Sequence, residues 1–271
     1  MSVNTLFLKP ELRAHISNIL DISNTHNTDS ETKIFDYLIN LPGQIYRQVK
    51  NRKTLKVNLN KDYFIKTHQA LSLREQIKNL LSLKWPVPNA LDEQKAITAV
   101  QKLNINTMDI AGFGEYANDS FLITEAIEPN ISLDQLLEAK IDTQDYFKLK
   151  RRLIKIIAQT TKLLHENGLN HRDYYVCHYL LKLDQNDHQI SPENLYLIDL
   201  HRMQIRSRTP IRYIIKDLSS ILFSIRNYKF TRTDYLRFIQ YYTDNNLKKY
   251  RENKSFWQKV RNKANRLREK G

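Results

Sequence analysis

The order of elements around residues 168–199 constrains this chain more than any other feature. A helical pattern ends at Gly168, a residue type that often closes a helix because it tolerates a left-handed backbone. His171-Arg172-Asp173 follows on a turn and leads into the apolar run Tyr179-Leu180-Leu181. A polar loop then precedes Leu195–Ile198, which favours a strand and ends in Asp199, 26 residues after Asp173. The pattern predicts two strands joined by that loop, with one carboxylate before the first strand and another after the second.

This layout is typical of a kinase catalytic loop. In the signature H-R-D-L-x-x-x-N, the Asp accepts the proton of the attacking hydroxyl and the Asn holds a magnesium ion. Here the Asn position is His178, and Asp199-Leu200-His201 stands where a protein kinase has D-F-G. An H-R-D triplet alone is more often a surface Arg–Asp pair, but the ordered set of elements indicates a phosphotransferase. We predict Asp173 as the catalytic base and Asp199 as a ligand of the Mg²⁺ that accompanies ATP.

The remaining residues of the loop are predicted to support it. Arg172 is expected to hold the loop geometry rather than to touch the substrate, and His171 to support it from the preceding position. His178 either binds the metal weakly through a ring nitrogen or forms a hydrogen bond to Asp173. The second role is favoured because imidazole is a poor ligand for Mg²⁺.

An upstream lysine fits the nucleotide site. Period-two alternation predicts three strands of a nucleotide-covering sheet, namely Ile45–Val49, Thr54–Leu59 and Tyr63–Thr67. Lys66 in the third strand matches the lysine of V-A-I-K, which neutralises nucleotide phosphates. A lysine on a strand is usually only solvent-exposed, and its position upstream of a helix and of Asp173 is what favours the functional interpretation.

A glutamate on a helix is expected to orient Lys66. The helical candidates are Leu73–Leu83 and Asp92–Leu103, separated by a proline-containing segment that breaks the helix. We choose Glu93 in the second helix, with Glu75 in the first as the alternative. Either residue is equally compatible with an ordinary surface charge.

The chain has five glycines and none between residues 44 and 67, so no glycine-rich loop covers the phosphates. Gly112-Phe113-Gly114 falls after Lys66 and is predicted to be a bend in a strand. The segment Phe121–Ile127 is the natural connector between lobes, and the backbone around Glu125 and Ile127 is predicted to bind the adenine of ATP.

The net charge of +14 lies mostly in the C-terminal quarter, where residues 205–271 contain 18 Lys or Arg and 5 Asp or Glu. The predicted last helix, Ser255–Lys270, has an apolar face and several basic ones. Such a helix either lies on an anionic membrane surface or docks on its own domain through the apolar face. No apolar stretch is long enough for a membrane span and no signal-peptide core is present, so a cytoplasmic location is expected. Cys177 is the single cysteine, which excludes an intrachain disulfide.

The catalytic segments closely resemble the lipopolysaccharide core heptose(I) kinases of Gram-negative bacteria, within the Kdo/heptose kinase family of the protein-kinase-like superfamily. The resemblance is strongest over His171–Leu181 and Ile198–Arg202, where Cys177 followed by His178 is specific to the family. Further segments similar to that family are Arg52–Leu55, Tyr63–His68, Lys78–Leu83, Pro86–Pro88, Asn106–Met108, Ser120–Glu125 and Asp217–Leu218. The resemblance runs from about Ile34 to the C-terminus.

The resemblance implies an α+β, bilobal protein-kinase-like fold with an N-terminal antiparallel β-sheet lobe plus a helix and a mainly α-helical C-terminal lobe. The expected domains are an N-terminal extension of helix and polar linker (1–33), the N-lobe (34–125), the C-lobe with the catalytic loop (126–254) and a basic amphipathic C-terminal helix (255–271).

The resemblance also implies a function. The expected enzyme uses ATP and Mg²⁺ to phosphorylate the first heptose of the inner core at its 4-hydroxyl. It would act as a peripheral protein on the cytoplasmic face of the inner membrane. Expected partners are the lipid-linked lipopolysaccharide acceptor, the anionic membrane surface through the basic C-terminal region, and acyl carrier protein, with no nucleic acid.

Three alternatives stay open at this level. One is a kinase for Kdo or for the second heptose, since spacing does not show the acceptor contacts. Another is a protein kinase, which the missing glycine-rich loop disfavours. The third is an inactive module that binds nucleic acid or lipid through its basic tail, against which Lys66, Asp173 and Asp199 argue.

Overall fold

The computed structural model of this chain describes residues 4–22, 27–49, 51–69, 89–183, 190–246 and 252–268. The chain forms two compact units, residues 1–97 with 108–126 and residues 98–107 with 127–271. The first unit is built on an antiparallel sheet and the second is mainly helical. The predicted α+β class is confirmed.

Six strands form the sheet of the first unit. They are β1 (Thr5–Leu8), β2 (Gln44–Val49), β3 (Arg52–Asn58), β4 (Asp62–His68), β5 (Ile110–Tyr116) and β6 (Asp119–Glu125). Their order is β1, β5, β6, β4, β3, β2, and every neighbouring pair is antiparallel. The three strands predicted from alternation correspond to β2, β3 and β4. The apolar face of β3 and β4 is buried in the core through Leu55, Val57, Tyr63 and Ile65, whereas every side chain of β2 is exposed.

The N-terminal segment differs from the predicted extension, because it is part of the first unit. β1 pairs with β5 from Thr5 opposite Glu115 to Leu8 opposite Gly112. Helices α1 (Pro10–Ile19) and α2 (Thr28–Ile39) bury their apolar faces in the core of the same unit. The C-terminal end of the predicted polar linker is the beginning of α2, where the Asn27 side chain accepts a hydrogen bond from the Ser30 N–H at 2.8 Å and caps the helix.

Gly112 lies inside β5, at the point where the register with β6 shifts. A Cβ at this position would meet the Leu8 Cδ2 at 2.3 Å and the Phe7 carbonyl oxygen at 3.0 Å, so a larger residue would displace the buried Leu8 side chain. The glycines here therefore serve strand packing, in line with the predicted bend.

The remaining described α-helices and strands follow, and all but the first of them lie in the second unit. They are α3 (Ala90–Gln101), which crosses the boundary between the units, β7 (Asn130–Ser132), α4 (Leu133–Lys140), α5 (Tyr146–Glu166), β8 (Leu169–Asn170), β9 (Tyr179–Lys182), β10 (Leu195–Leu197), β11 (Gln204–Ile205), α6 (Ile211–Ser224), α7 (Arg232–Tyr242) and α8 (Lys254–Arg268). None of the helices in the described ranges is both long and apolar enough to cross a membrane.

The end of α5 delivers the chain to the predicted catalytic loop. Gly168 has a φ of +77°, and a Cβ there would lie 1.8 Å from the Arg206 carbonyl oxygen. That backbone is held close because the Arg206 N–H donates to the Gly168 carbonyl at 3.0 Å. Glycine is therefore required both by its conformation and by its neighbour.

Two small sheets fix the ends of the loop. β9 pairs with β10 in an antiparallel arrangement, and β8 pairs with β11. The Ile198 N–H then donates to the His178 carbonyl at 2.9 Å. The two predicted strands are present, and they set the residues before β9 beside the residues after β10.

Helix α8 docks on the second unit through its apolar face. Trp257, Val260 and Ala264 are at most 4% exposed, and the first two pack with Leu218 and Ile239. Of the two interpretations open for this helix, the structure supports docking, because the apolar face is already covered. Its exposed basic side chains are Lys254, Lys259, Arg261, Lys263 and Arg266.

Candidate active site

Lys66 and Glu93 form an ion pair in the first unit. Lys66 lies in β4 opposite Thr54 of β3 and Leu122 of β6, and its side chain is 17% exposed. Its Nζ lies 2.6 Å from Oε1 of Glu93, which is 1% exposed and stands in the first turn of α3. A buried carboxylate at this distance restricts the ammonium to one position, from which it can meet a phosphate. The alternative partner Glu75 lies outside the described residues.

The loop that carries Asp173 is clamped by Asp217 of α6. The His171 N–H donates to Oδ2 of Asp217 at 2.7 Å, and the Arg172 N–H donates to Oδ1 at 2.9 Å. Arg172 has a φ of +73°, a conformation that is unfavourable for a residue with a Cβ. Asp217 is 1% exposed, so two charge-assisted hydrogen bonds hold this conformation away from water.

His171 ties the loop to the end of β10. Its ring is fully buried, and Nε2 donates to the Ile198 carbonyl at 3.0 Å. Burial lowers the pKa of His171, against the opposing effects of Asp217 and of the bond to Ile198. The ring is therefore neutral near pH 7, as suits a buried structural histidine.

The Asp173 carboxylate is covered by basic side chains. Arg202 Nη1 donates to Oδ1 at 3.0 Å and to Oδ2 at 2.9 Å, and Lys216 Nζ lies 3.9 Å from Oδ1. The Asp173 side chain is 19% exposed, so substrate can reach it. A carboxylate in this position can accept a proton from a hydroxyl that displaces part of the Arg202 contact.

Asp199 lies in a left-handed conformation, with a φ of +60°. Its side chain is 24% exposed, Oδ1 is 2.6 Å from His201 Nδ1, and Oδ2 is 3.5 Å from His178 Nε2. Within the described ranges, no group of three or more His, Cys, Asp or Glu side chains is arranged to hold a metal. Mg²⁺ at nucleotide sites takes one or two carboxylates together with phosphate oxygens and water, so Asp199 is a fitting protein ligand for it.

His178 contacts both acidic residues of the predicted site. Its Nδ1 donates to the Asp173 carbonyl oxygen at 2.6 Å. Burial lowers the pKa of His178. Hydrogen bonds to Cys177 and to the Asp173 carbonyl, together with the charge of Asp199, have the larger opposite effect and raise the pKa to about 9. The Nδ1 hydrogen bond fits the favoured role, although it goes to the backbone carbonyl of Asp173 and not to its carboxylate. Metal binding by His178 stays a prediction.

Glu125 and Ile127 have local partners. The Glu125 carboxylate accepts from Lys9 at 2.6 Å and from Lys61 at 2.8 Å. Burial raises the pKa of Glu125, and the bonds to the two lysines lower it by more. The Glu125 N–H donates to the Asp109 carbonyl, and the Ile127 carbonyl accepts from Asn130. Their contact with adenine stays a prediction.

Several residues of the site had no assigned role from sequence alone. These are Asp217, Arg202, Lys216 and His201, which contact the loop backbone, Asp173 and Asp199. Asp217 carried one usable signal, since it is the single acidic residue of α6 and lies beside apolar residues of that helix. A charge there has to find buried partners.

Comparison with known proteins gives a family match over most of the chain. The lipopolysaccharide kinase (Kdo/WaaP) family matches residues 36–242. The lipopolysaccharide core heptose(I) kinase WaaP of Escherichia coli K12 is 39% identical over 209 residues, which span 74% of this chain and 78% of that protein. The enzyme of the same name from Pseudomonas aeruginosa is 35% identical over 216 residues, spanning 77% and 80%.

A solved structure shows that the likeness extends to the fold. WaaP in complex with acyl carrier protein has a TM-score of 0.74 with this chain at 28% identity. The match covers 97% of this chain and 99% of that one, so it includes residues before position 36 that the family match leaves out.

Proposed function

Because the chain belongs to the lipopolysaccharide kinase (Kdo/WaaP) family and is a phosphotransferase acting on an alcohol group, we propose that it transfers the γ-phosphate of ATP to the 4-hydroxyl of the first inner-core heptose. The observation that carries the proposal is the position of Asp173. Its accessible carboxylate lies on a loop with a strained backbone, and Asp217 holds that backbone in place. The names of the E. coli and P. aeruginosa relatives support the choice of sugar.

The proposed mechanism assigns positioning and electrostatic roles to the side chains. Asp173 accepts the proton of the sugar hydroxyl and aims its oxygen at the γ-phosphate. Asp199 is the protein ligand for Mg²⁺, which when bound with ATP neutralises charge on the phosphates. Lys66, held by Glu93, binds phosphate oxygens. His171, Arg172 and His178 keep the loop in place through the contacts described above.

The proposal is tested by phosphate transfer from ATP to purified acceptors. We expect incorporation into heptose-containing lipopolysaccharide that lacks core phosphate, and none into Kdo-only lipopolysaccharide or a generic protein, because only the first offers the heptose hydroxyl. The position of the phosphate on the sugar is then read by NMR. Incorporation only into the Kdo acceptor, or only into protein, would assign a different substrate and contradict the proposal.

We also propose that the protein works at the cytoplasmic face of the inner membrane and that acyl carrier protein is a partner. The membrane proposal rests on α8, which exposes five basic side chains while its apolar face is buried, so the attraction to lipid is electrostatic. The partner is proposed because a solved relative is in complex with acyl carrier protein. Its binding is measured directly by calorimetric titration.

Neutralising four of the exposed basic side chains of α8 is expected to release the protein from anionic vesicles. Each basic residue near such a surface contributes about 1 kcal/mol, so replacing Lys259, Arg261, Lys263 and Arg266 by Gln should weaken binding by about 4 kcal/mol. The measurement is co-sedimentation with vesicles of anionic or neutral lipid at low and physiological salt.

A control variant changes the same amount of charge on another helix. Lys148, Arg151, Arg152 and Lys155 are exposed side chains of α5 and are replaced by Gln together. Equal loss of binding in both variants would mean that net charge alone is responsible, and the assignment to α8 would then be wrong.

A further inference from the structure

Two basic side chains lie at the carboxylate of Asp173, and the charge of a third acts on one of them. Arg202 binds both of its oxygens and Lys216 lies 3.9 Å from one of them. Arg172 is close enough to act on Lys216: burial lowers the pKa of Lys216, the charges of Arg202 and Arg172 lower it further, and Asp173 raises it. The neighbouring Asp217 is already engaged by two backbone N–H groups. Positive charge is therefore in excess at this end of the site.

Arg202 blocks the proposed base as well as stabilising it. Both oxygens of Asp173 accept from the same Nη1, so Arg202 competes with a substrate hydroxyl for the carboxylate. A guanidinium that gives up a carboxylate binds another anionic group more strongly than it binds water, because the hydrogen bonds are charge-assisted. Arg202 is 41% exposed and Lys216 is 29% exposed, so an entering ligand can reach both.

Arg202 and Lys216 both lie at the proposed base. Asp199 is contacted by the imidazoles of His201 and His178, whereas Arg202, although only three residues away in sequence, is directed at Asp173. The nucleotide phosphates belong with Asp199 and its metal in the proposed mechanism. The excess positive charge therefore belongs to the side on which the acceptor binds.

We propose that Arg202 and Lys216 form an anion subsite that binds an acidic group of the acceptor, a carboxylate or a phosphate, next to the hydroxyl that Asp173 activates. The inference rests on the proposed function, since it takes Asp173 as the base. The acidic group draws Arg202 away from Asp173, which frees the base only when a suitable acceptor is present. The planar guanidinium suits such a group because it offers two parallel N–H donors. The substrate class is therefore an acidic glycan, and a neutral sugar with the same hydroxyl is a poor acceptor.

The test compares acceptors that differ only in charge. Heptose-containing lipopolysaccharide is used intact, with its carboxyl groups reduced to alcohols, or with its existing phosphates removed. For the wild type, removing the group that is recognised is expected to raise the acceptor KM about ten- to a hundredfold, the range for a charge-assisted hydrogen bond. The arm that shows the rise identifies the group as a carboxylate or a phosphate. No rise in either arm would overturn the proposal.

Substitutions test whether Arg202 and Lys216 cause the change in the acceptor KM. Arg202→Gln and Lys216→Met are expected to raise the KM for the intact acceptor by a similar factor and to be insensitive to removal of the acidic group, with the KM for ATP little changed. Arg202→Lys is expected to restore part of the affinity. Arg232→Gln and Lys148→Met are the matched controls, because both residues are exposed and lie elsewhere in the second unit. A fall in kcat alone, equal for all acceptors, would place the cations on the transferred phosphate and overturn the proposal.

A binding measurement separates this inference from the proposed function. If the wild type phosphorylates the heptose acceptor but Arg202→Gln and Lys216→Met behave like it, the subsite is wrong and the function stands. If the wild type phosphorylates no heptose acceptor, the function is wrong. The subsite is then judged by calorimetric titration of the intact and carboxyl-reduced or dephosphorylated acceptors without ATP. Equal affinities of wild type and Arg202→Gln would overturn it.

Discussion

Replacing Asp173 by Asn is expected to lower kcat for phosphate transfer by about 10²–10⁴-fold, the usual contribution of a positioned general base. Asn keeps the size of the side chain but does not accept the proton of the sugar hydroxyl. The partly exposed pair with Arg202 contributes little to stability, so the free energy of unfolding should change by less than about 1 kcal/mol. The measurements are initial rates with ATP and the heptose acceptor, and urea unfolding.

Asp142→Asn is the matched control for this variant. Asp142 is 81% exposed and forms an ion pair with Lys229 on the surface of the second unit, so the same chemical change there should leave kcat as in the wild type. An Asp173→Asn enzyme that retains more than a tenth of the wild-type kcat would show that Asp173 is not the base.

Replacing Asp217 by Asn is expected to reduce both stability and activity. An amide offers one acceptor oxygen, so one of the two backbone N–H groups of His171 and Arg172 would face an NH₂ group and lose its bond. A buried donor left unsatisfied, together with the loss of charge assistance, corresponds to about 2–4 kcal/mol of unfolding free energy. Because the strained Arg172 backbone would relax, kcat should fall at least about tenfold even where the variant is fully folded.

Two measurements test this prediction separately. Urea unfolding gives the stability, and kcat is measured at a temperature at which both proteins are folded by circular dichroism. Asp145→Asn is the control, since Asp145 is 82% exposed. Full activity and unchanged stability of Asp217→Asn would mean that the clamp does not maintain the loop.

The elements that position the site follow from local sequence patterns. The 3.6-residue periodicity of Tyr146–Glu166 predicts α5 with the bounds that the structure has, because every turn of that helix presents an apolar side chain to the core. The alternation of residues 45–67 likewise predicts β2, β3 and β4. The H-R-D triplet and the Asp after a second apolar strand are short-range signals, and they identify Asp173 and Asp199 without any knowledge of distant contacts.

Other parts of the fold have no such signal. β1 is four residues long, and its hydrogen-bonding partners lie in β5, about a hundred residues further along the chain. A segment this short has no periodicity to read, so its place at the sheet edge depends on the partner strand. For α8 the pattern is clear but fits both a membrane surface and a protein core, and only the packing of Trp257 and Val260 against α6 and α7 decides between them.

The sequence by itself therefore determined the fold class and the order of the main elements, and it predicted the roles of Lys66, Asp173 and Asp199. Only the tertiary structure decided what surrounds those aspartates. Arg202 is 29 residues from Asp173, and Asp217 is 46 residues from His171. The physical reason is that a side-chain contact depends on distance in space, whereas sequence patterns report only which face of an element is buried. The charges that hold the loop and cover the base come together when the helices and small sheets of the second unit pack.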